Sequence, residues 1–450
     1  MIPPKPPSRS GRASLFRYLR LFRQDILSAQ PARLYRAWMA EFRTPFFRSY
    51  LINQPDLVKT VLKDRPMDFP KSSRIAEGLR PLLGESVFLT NGDTWLRQRR
   101  IIDPAFEGGR LRETYPAMWA ASQAARSRLA ARVGDTVEIE EQTSHAAADI
   151  IFRTLFSLPI EDQIASAVFH EFKTYQRSQP ILNLAAFLPL PRWLPRFHRR
   201  QTKAAARRIR ALITELTERR RAEIASGTAP DDLATKIMTT RDPETGATFS
   251  TAEMVDQVAI FFLAGHETSA SALAWALYLL ATHPDWQTAV ADEARQLGDS
   301  PDFADMARLR VSRDVFRETL RLYPPVPMMV RETRCPERFR GRDVPRGAQI
   351  VLSPWHQHRH ERLWDRPDEF DPARWGTENG RQCARDAYMP FSSGPRVCTG
   401  AGFAMVEGPL LLSLLLRDLR ISAFPETVPE PVAFLTVRSR GGIVLKVDRR

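Results

Sequence analysis

Near its C-terminus the chain reads Phe391-Ser392-Ser393-Gly394-Pro395-Arg396-Val397-Cys398-Thr399-Gly400. A cysteine held between glycines, with an arginine two residues before it, has the makings of a thiolate ligand to an anionic cofactor. The glycines let backbone approach a flat ring and leave amide groups free to face the sulfur, which favours the thiolate. An inert buried thiol fits the same residues. A second group, Ala264-Gly265-His266-Glu267-Thr268-Ser269, interrupts a segment that carries Val255, Val258, Ile260, Phe261, Phe262 and Leu263. His266 and Glu267 open an H-E-x-x-H pattern, but Ala270 stands where the closing histidine would be, so a zinc protease is excluded. Structural roles stay open for this group: Thr268 bonding back to the Ala264 carbonyl, and His266 as a satisfied core histidine. A third group, Glu318-Thr319-Leu320-Arg321, sets acid and base three apart on one helix face, and Pro324 ends that helix. Such a pair on a surface is worth roughly a few tenths of a kcal/mol.

These groups need elements to position them. Ser250 followed three residues later by Glu253 is a capping box, so a helix is expected over Thr251–Ala281, and its near-continuous apolar character says that it is buried. Long helices are also expected over Arg112–Val133 and Gln201–Ala225. Strands are expected at Ile350–Leu352, Phe434–Val437 and Ile443–Val447. The prolines and glycine of residues 1–12 read as a disordered arm, and Leu15–Ile26 as an amphipathic segment. Residues 13–450 are then expected to form one domain. No alternation of strand and helix with a glycine-rich phosphate turn appears, so nicotinamide and flavin have no binding module here.

Composition narrows the class further. With 450 residues, 43% hydrophobic and 26% charged, the chain can bury a large core. Three cysteines, Cys335, Cys383 and Cys398, are too few for a disulfide framework or a four-cysteine cluster and favour a reducing compartment, so a cytoplasmic location is expected. No apolar run approaches the roughly 18 residues that cross a bilayer, which leaves peripheral contact through Leu15–Ile26 as the available membrane mode. The net charge is +14, and 58 of the 66 basic residues are arginine. These are spread along the chain without a nucleic-acid module, so nucleic acid is not an expected partner.

Taken in order, the three groups resemble the cytochrome P-450 family of haem-thiolate monooxygenases. Phe391, Gly394, Arg396, Cys398 and Gly400 match its cysteine-loop signature. Ala264, Gly265, Glu267 and Thr268 are similar to its oxygen-activating helix motif, and Glu318 with Arg321 to its E-x-x-R pair. The run Phe370-Asp371-Pro372-Ala373-Arg374-Trp375 resembles the segment whose arginine completes that pair as a triad. Gly92, Trp95, Arg99, Arg100 and Phe106 resemble its haem-contacting helix. The resemblance extends from about residue 40 to the C-terminus. Two departures stand out: Ser392 where glycine is common, and Pro409 inside the helix after the cysteine, where it removes a bond to the Met405 carbonyl.

The resemblance implies a mainly α fold with a small β part, a long central helix lying over a buried haem. The cofactor is then haem b, iron protoporphyrin IX, with the Cys398 thiolate as axial metal ligand. Trp95, Arg99, Arg331 and Arg396 are the expected partners of its propionates, with His358 a weaker candidate. Gly265 is expected to let the helix distort and leave a groove for dioxygen, Thr268 to offer a hydroxyl, and Glu267 to relay protons. Glu318, Arg321 and Arg374 are expected to brace the cysteine loop. Implied partners are dioxygen, a hydrophobic small molecule, and a separate ferredoxin with its reductase or a flavodoxin-type donor; a monomer is expected. Phe69–Phe88, Ile181–Trp193 and Val326–Val330 are expected to wall the substrate pocket. A peroxygenase, a haem-thiolate isomerase and a haem-based gas sensor or carrier are the rival readings. The alternating His356, His358 and His360 would share one face if they lay on a strand, the arrangement that a metal site there would need.

Overall fold

The structure is a computed structural model that describes residues 2–9, 11, 14–43, 48–178, 200–433 and 435–450. The expected pocket wall at 181–193 and the strand residue Phe434 lie outside the described residues. The chain forms two compact units, neither of them a continuous stretch of sequence.

The first unit, Met1–Phe69, Ser122–Ser144 and Thr268–Arg450, carries the sheets. Strands Met39–Arg43, Arg48–Ile52, Gln349–Leu352 and Met329–Glu332 form a mixed sheet in that order. The register pairs Met39 with Ile52, Ser49 with Gln349 in parallel, and Met329 with Leu352 antiparallel. Alternation along the strands divides the burial. Tyr50, Ile52, Ile350 and Leu352 pack with Val58, Leu62 and Phe69 on one side, while Leu51 packs with Leu34 and Ala40 on the other. Phe69, expected at the pocket wall, is a core residue beneath this sheet. A second sheet joins Thr136–Glu138, Val444–Arg449 and Leu419–Ala423. Helix Arg310–Leu322 carries the E-x-x-R pair, and the helix Ala401–Asp418 runs through Pro409 as one element, its leucines 410–412 and 414–416 buried. The proline-rich start makes contacts that its composition does not announce: Tyr323 donates its hydroxyl to the Pro4 carbonyl at 2.7 Å, and Lys5 is ion-paired with Asp368.

The second unit, Pro70–Ala121 and His145–Glu267, is helical. Its core includes Phe262 against Phe152, Phe156 and Phe172, with ring centroids 4.3, 6.4 and 6.1 Å apart. Arg100 clasps the buried Asp242, and Arg220 the buried Asp232. The capping box forms as expected: the Glu253 amide donates to the Ser250 hydroxyl at 3.2 Å, and the Ser250 amide to the Glu253 carboxylate at 2.9 Å. It opens a helix that runs from Thr251 to Thr282. The two other long helices span Gly108–Ala130 and Arg200–Ser226, within a few residues of expectation.

The alternating histidines do not lie on a strand: a short helix covers Pro354–Gln357, and all three are buried. No cluster suited to a metal ion occurs among the described residues.

Candidate active site

Cys398 sits three residues ahead of the helix Ala401–Asp418, on a loop closed by its own backbone. Its amide donates to the Phe391 carbonyl at 3.0 Å, and its carbonyl accepts from Ala401 at 3.3 Å. The short 3₁₀ turn Gly394–Arg396 leads into it. Gly394 has φ +70°, and a Cβ there would collide with the Leu62 carbonyl oxygen, so the loop is pressed against that backbone at a point only glycine tolerates. Ser392 also takes a left-handed φ, +64°, where a side chain is strained; its hydroxyl is buried without a hydrogen-bond partner. This is the physical content of the Ser392 departure. Of the three thiols, Cys335 and Cys398 are exposed and Cys383 is buried. Cys383 donates to the Leu363 carbonyl at 3.1 Å, and burial pushes its thiol up to about 11, so it stays protonated.

The same unit contains a closed network of charges. Glu318 and Arg321 are both fully buried, joined by two hydrogen bonds of 2.9 and 2.8 Å, and Arg374 adds a third at 3.2 Å. Arg321 spends its remaining donors on the carbonyls of His358, Pro367 and Glu369 at 2.6–2.8 Å. Arg374 donates to the carbonyls of Asp365, Arg366 and Glu369. The set expected to brace the cysteine loop is buried, and the carbonyls it holds are those of residues 358, 365–367 and 369. His358 belongs to this network and not with the propionate candidates. Its Nε2 accepts the Met389 amide at 2.9 Å, and its Nδ1 lies 3.2 Å from the Arg321 carbonyl, so both ring nitrogens are engaged. Burial holds the imidazole down to about 3, the neutral form these two bonds require.

A contrasting pair of cations lies in the same unit. Arg331, on the strand Met329–Glu332, is 7% exposed, and its Nε is buried without a hydrogen-bond partner. Desolvation first, then the charge of Arg396, lowers its guanidinium to about 10. Arg396 reaches the Pro66 carbonyl and the Met67 sulfur, the latter at 3.7 Å. Burial lowers both guanidiniums, and the charge of Arg396 lowers Arg331 further, so the pair is stabilised by a dianion. The two propionates of a haem meet that demand, so these residues fit the group.

In the second unit, Trp95 and Arg99 lie one turn apart on the helix Gly92–Ile102, with Arg99 already bonded to Asp103 at 2.9 Å. Within the buried run of the central helix, Ala264 is exposed and Thr268 half-buried; four residues apart, they share one helix face. Gly265 answers a different need from the one expected. The helix is continuous there, and a Cβ on Gly265 would meet the Ile151 side chain at 2.5 Å, so the glycine admits the helix Ile139–Phe156. His266 is a core residue, packed edge-on against Phe169 at 5.5 Å. Glu267 is 5% exposed, and its charge, after burial, helps push the Tyr175 phenol up.

One pair escaped the sequence reading. Ser269 donates to the buried Glu407 at 2.7 Å, across 138 residues. The available signal was a lone acid in the interior of a largely apolar helix, just before leucines 410–412 and 414–416.

The sequence profile of the cytochrome P-450 family matches residues 39–447. Cyclooctat-9-en-7-ol 5-monooxygenase of Streptomyces melanosporofaciens is 32% identical over 442 residues, 94% of this chain and 92% of that protein. A cytokinin hydroxylase of Arabidopsis thaliana is 28% identical, over 88% of this chain and 77% of its own. Among solved structures, a variant heme domain of cytochrome P450DA superposes with a TM-score of 0.82 at 26% identity, covering 100% of this chain and 98% of that one. No described helix is long and apolar enough to cross a membrane. The match over nearly the whole chain, together with the fold, establishes that this protein belongs to the cytochrome P-450 family and is a monooxygenase whose family cofactor is haem.

Proposed function

We propose that the chain inserts one oxygen atom of dioxygen into a hydrophobic organic substrate, with Cys398 as the axial ligand of haem b and electrons from a separate ferredoxin and its reductase. Bound haem supplies the redox chemistry that activates dioxygen. Cys398 contributes an anionic sulfur, whose electron push favours O–O cleavage. The Phe391–Cys398 bond and the tight Gly394 turn hold that sulfur in place, and Gly400 keeps the following backbone slim. Arg331 and Arg396 neutralise the propionates. Thr268, beside the exposed Ala264, presents a hydroxyl to reduced oxygen, and Glu267 passes protons to it from solvent. Glu318, Arg321 and Arg374 hold the loop from below and take no part in the chemistry.

The observation that carries this reading is the Arg331–Arg396 pair in the same unit as an exposed cysteine on a glycine-pinned loop. A hydrophobic substrate is supported by the half-buried apolar positions 326 and 328–330, and by a bacterial relative whose name makes it a cyclooctat-9-en-7-ol monooxygenase. The arginine-rich charge of +14 suits an acidic electron donor. The test is the carbon monoxide difference spectrum of the reduced protein. Wild type is expected to show the thiolate signature and Cys398→Ser to lose it; a variant that keeps both pigment and oxidative turnover overturns the assignment.

A further inference from the structure

Glu407 lies on the helix Ala401–Asp418, nine residues beyond Cys398, and is 2% exposed. Its carboxyl has one side-chain hydrogen bond, from the Ser269 hydroxyl to Oε2 at 2.7 Å, while Oε1 is buried without a partner. Burial, opposed only by that hydroxyl, pushes the group up to about 8, so it is a neutral acid at pH 7. An ionised carboxylate with a single hydrogen bond would be costly at such a position.

Ser269 directly follows Thr268, and the same stretch of the central helix is gripped at further points. Thr143 donates to the Ala270 carbonyl at 3.0 Å, and Ser271 and Trp275 both donate to the Val437 carbonyl. Those grips end on backbone. The Ser269–Glu407 tie joins two side chains, and it reaches the helix that begins just after Cys398. Helix backbone is stiff, so fixing the direction of residue 269 fixes that of residue 268 about 100° away round the axis.

We infer that Glu407 is a positioning residue for Thr268: by accepting the Ser269 hydroxyl it holds the Ser269 turn against the helix that follows Cys398, and so sets where the Thr268 hydroxyl is presented. This rests on the role proposed for Thr268. A leucine would fill the space, but it would leave the Ser269 hydroxyl buried and unbonded. A glutamine preserves the acceptor, so the tie requires the hydrogen bond and not a transferable proton.

The test compares the haem-loaded wild type with Glu407→Gln, Glu407→Leu, Ser269→Ala and Thr268→Ala. Infrared spectroscopy at pH 7 is expected to show the carbonyl stretch of an un-ionised acid that Glu407→Gln removes and Ser269→Ala shifts to higher frequency. With a surrogate ferredoxin, its reductase and NADPH, hydrogen peroxide released per NADPH consumed is the second readout. Glu407→Leu and Ser269→Ala are expected to raise it about fivefold, the worth of one net hydrogen bond, towards the level of Thr268→Ala. Glu407→Gln is expected to stay at the wild-type ratio. The inference is overturned if Glu407→Gln uncouples as strongly as Glu407→Leu, since a proton and not a position would then be needed, or if Ser269→Ala matches wild type. Should Glu407→Leu fail to fold, Ser269→Ala decides alone. A wild type without the carbon monoxide thiolate signature, or a Thr268→Ala that leaves the ratio unchanged, defeats the functional reading itself, whereas failure confined to residues 269 and 407 defeats only the positioning role.

Discussion

Two sets of buried arginines in the same unit behave as opposites. Arg321 and Arg374 are surrounded: one carboxylate and a ring of carbonyls take up their donors, and the network is complete without any further group. Arg331 is also buried, yet among the described residues it bonds only the Val330 carbonyl, at 3.3 Å, and the charge of Arg396 depresses it. Burial of charge is costly in both places; in the first the protein itself offsets the cost, while in the second the proposed haem propionates would do so.

The largest expected effect tests the closed side. Glu318→Ala strands two buried guanidiniums, and a loss of about 3 to 5 kcal/mol is expected, read as a lower unfolding midpoint together with loss of haem during expression. A stable, fully loaded variant would show that the network is dispensable.

On the open side the expectation reverses. Arg331→Met should leave the apoprotein as stable as wild type, because it removes an uncompensated charge, while weakening haem retention by about tenfold to a hundredfold, the worth of a charge-assisted bond. Haem transfer to apomyoglobin measures it, and equal loss of apoprotein stability would erase the distinction between the two sets.

Acid sharpens the comparison next. Burial lowers His356 and His358 to about 3, so both are neutral in the folded protein and more basic when it unfolds. Their folded values are depressed, so the unfolded chain binds more protons and stability falls as pH drops below about 6.5, levelling off only near 3. At pH 5.5 each should cost about 1.4 kcal/mol relative to neutral pH, measurable in urea titrations. His358→Asn should flatten part of that slope. The smallest effect is at Ser392, where glycine removes left-handed strain: Ser392→Gly is expected to gain at most about 1 kcal/mol in unfolding free energy with an unchanged spectrum.

Much of the site was legible because its signals are local. The Ser250–Glu253 box depends on residues three apart, and it opens the helix where expected. The i, i+3 spacing put Glu318 and Arg321 on one face, and the density of glycine around Cys398 announced a tight loop. The burial of the charged and polar groups was not legible. Nothing in Glu318–Arg321 distinguishes a surface pair from a sealed one, since that depends on carbonyls delivered from residues 358 to 369. A helix glycine such as Gly265 is ambiguous until its neighbour is known, and the neighbour is Ile151. The role of His358 follows from which atoms reach its nitrogens, and those are the Met389 amide and the Arg321 carbonyl. The N-terminal prolines looked free because low hydropathy in a short segment says nothing about a tyrosine hydroxyl over 300 residues away.

The amino-acid order alone therefore determined what depends on near neighbours: where the long helices begin, which residue types can carry the chemistry, and that the chain resembles a haem-thiolate enzyme. Tertiary structure alone decided which charges are closed and which are open, that Ser269 meets Glu407, and that the chain folds as two units built from discontinuous segments. The reason is the range of the forces. Caps, turns and helix faces are set within a few residues, whereas desolvation is a property of everything that surrounds a group, and only the folded chain brings those surroundings together.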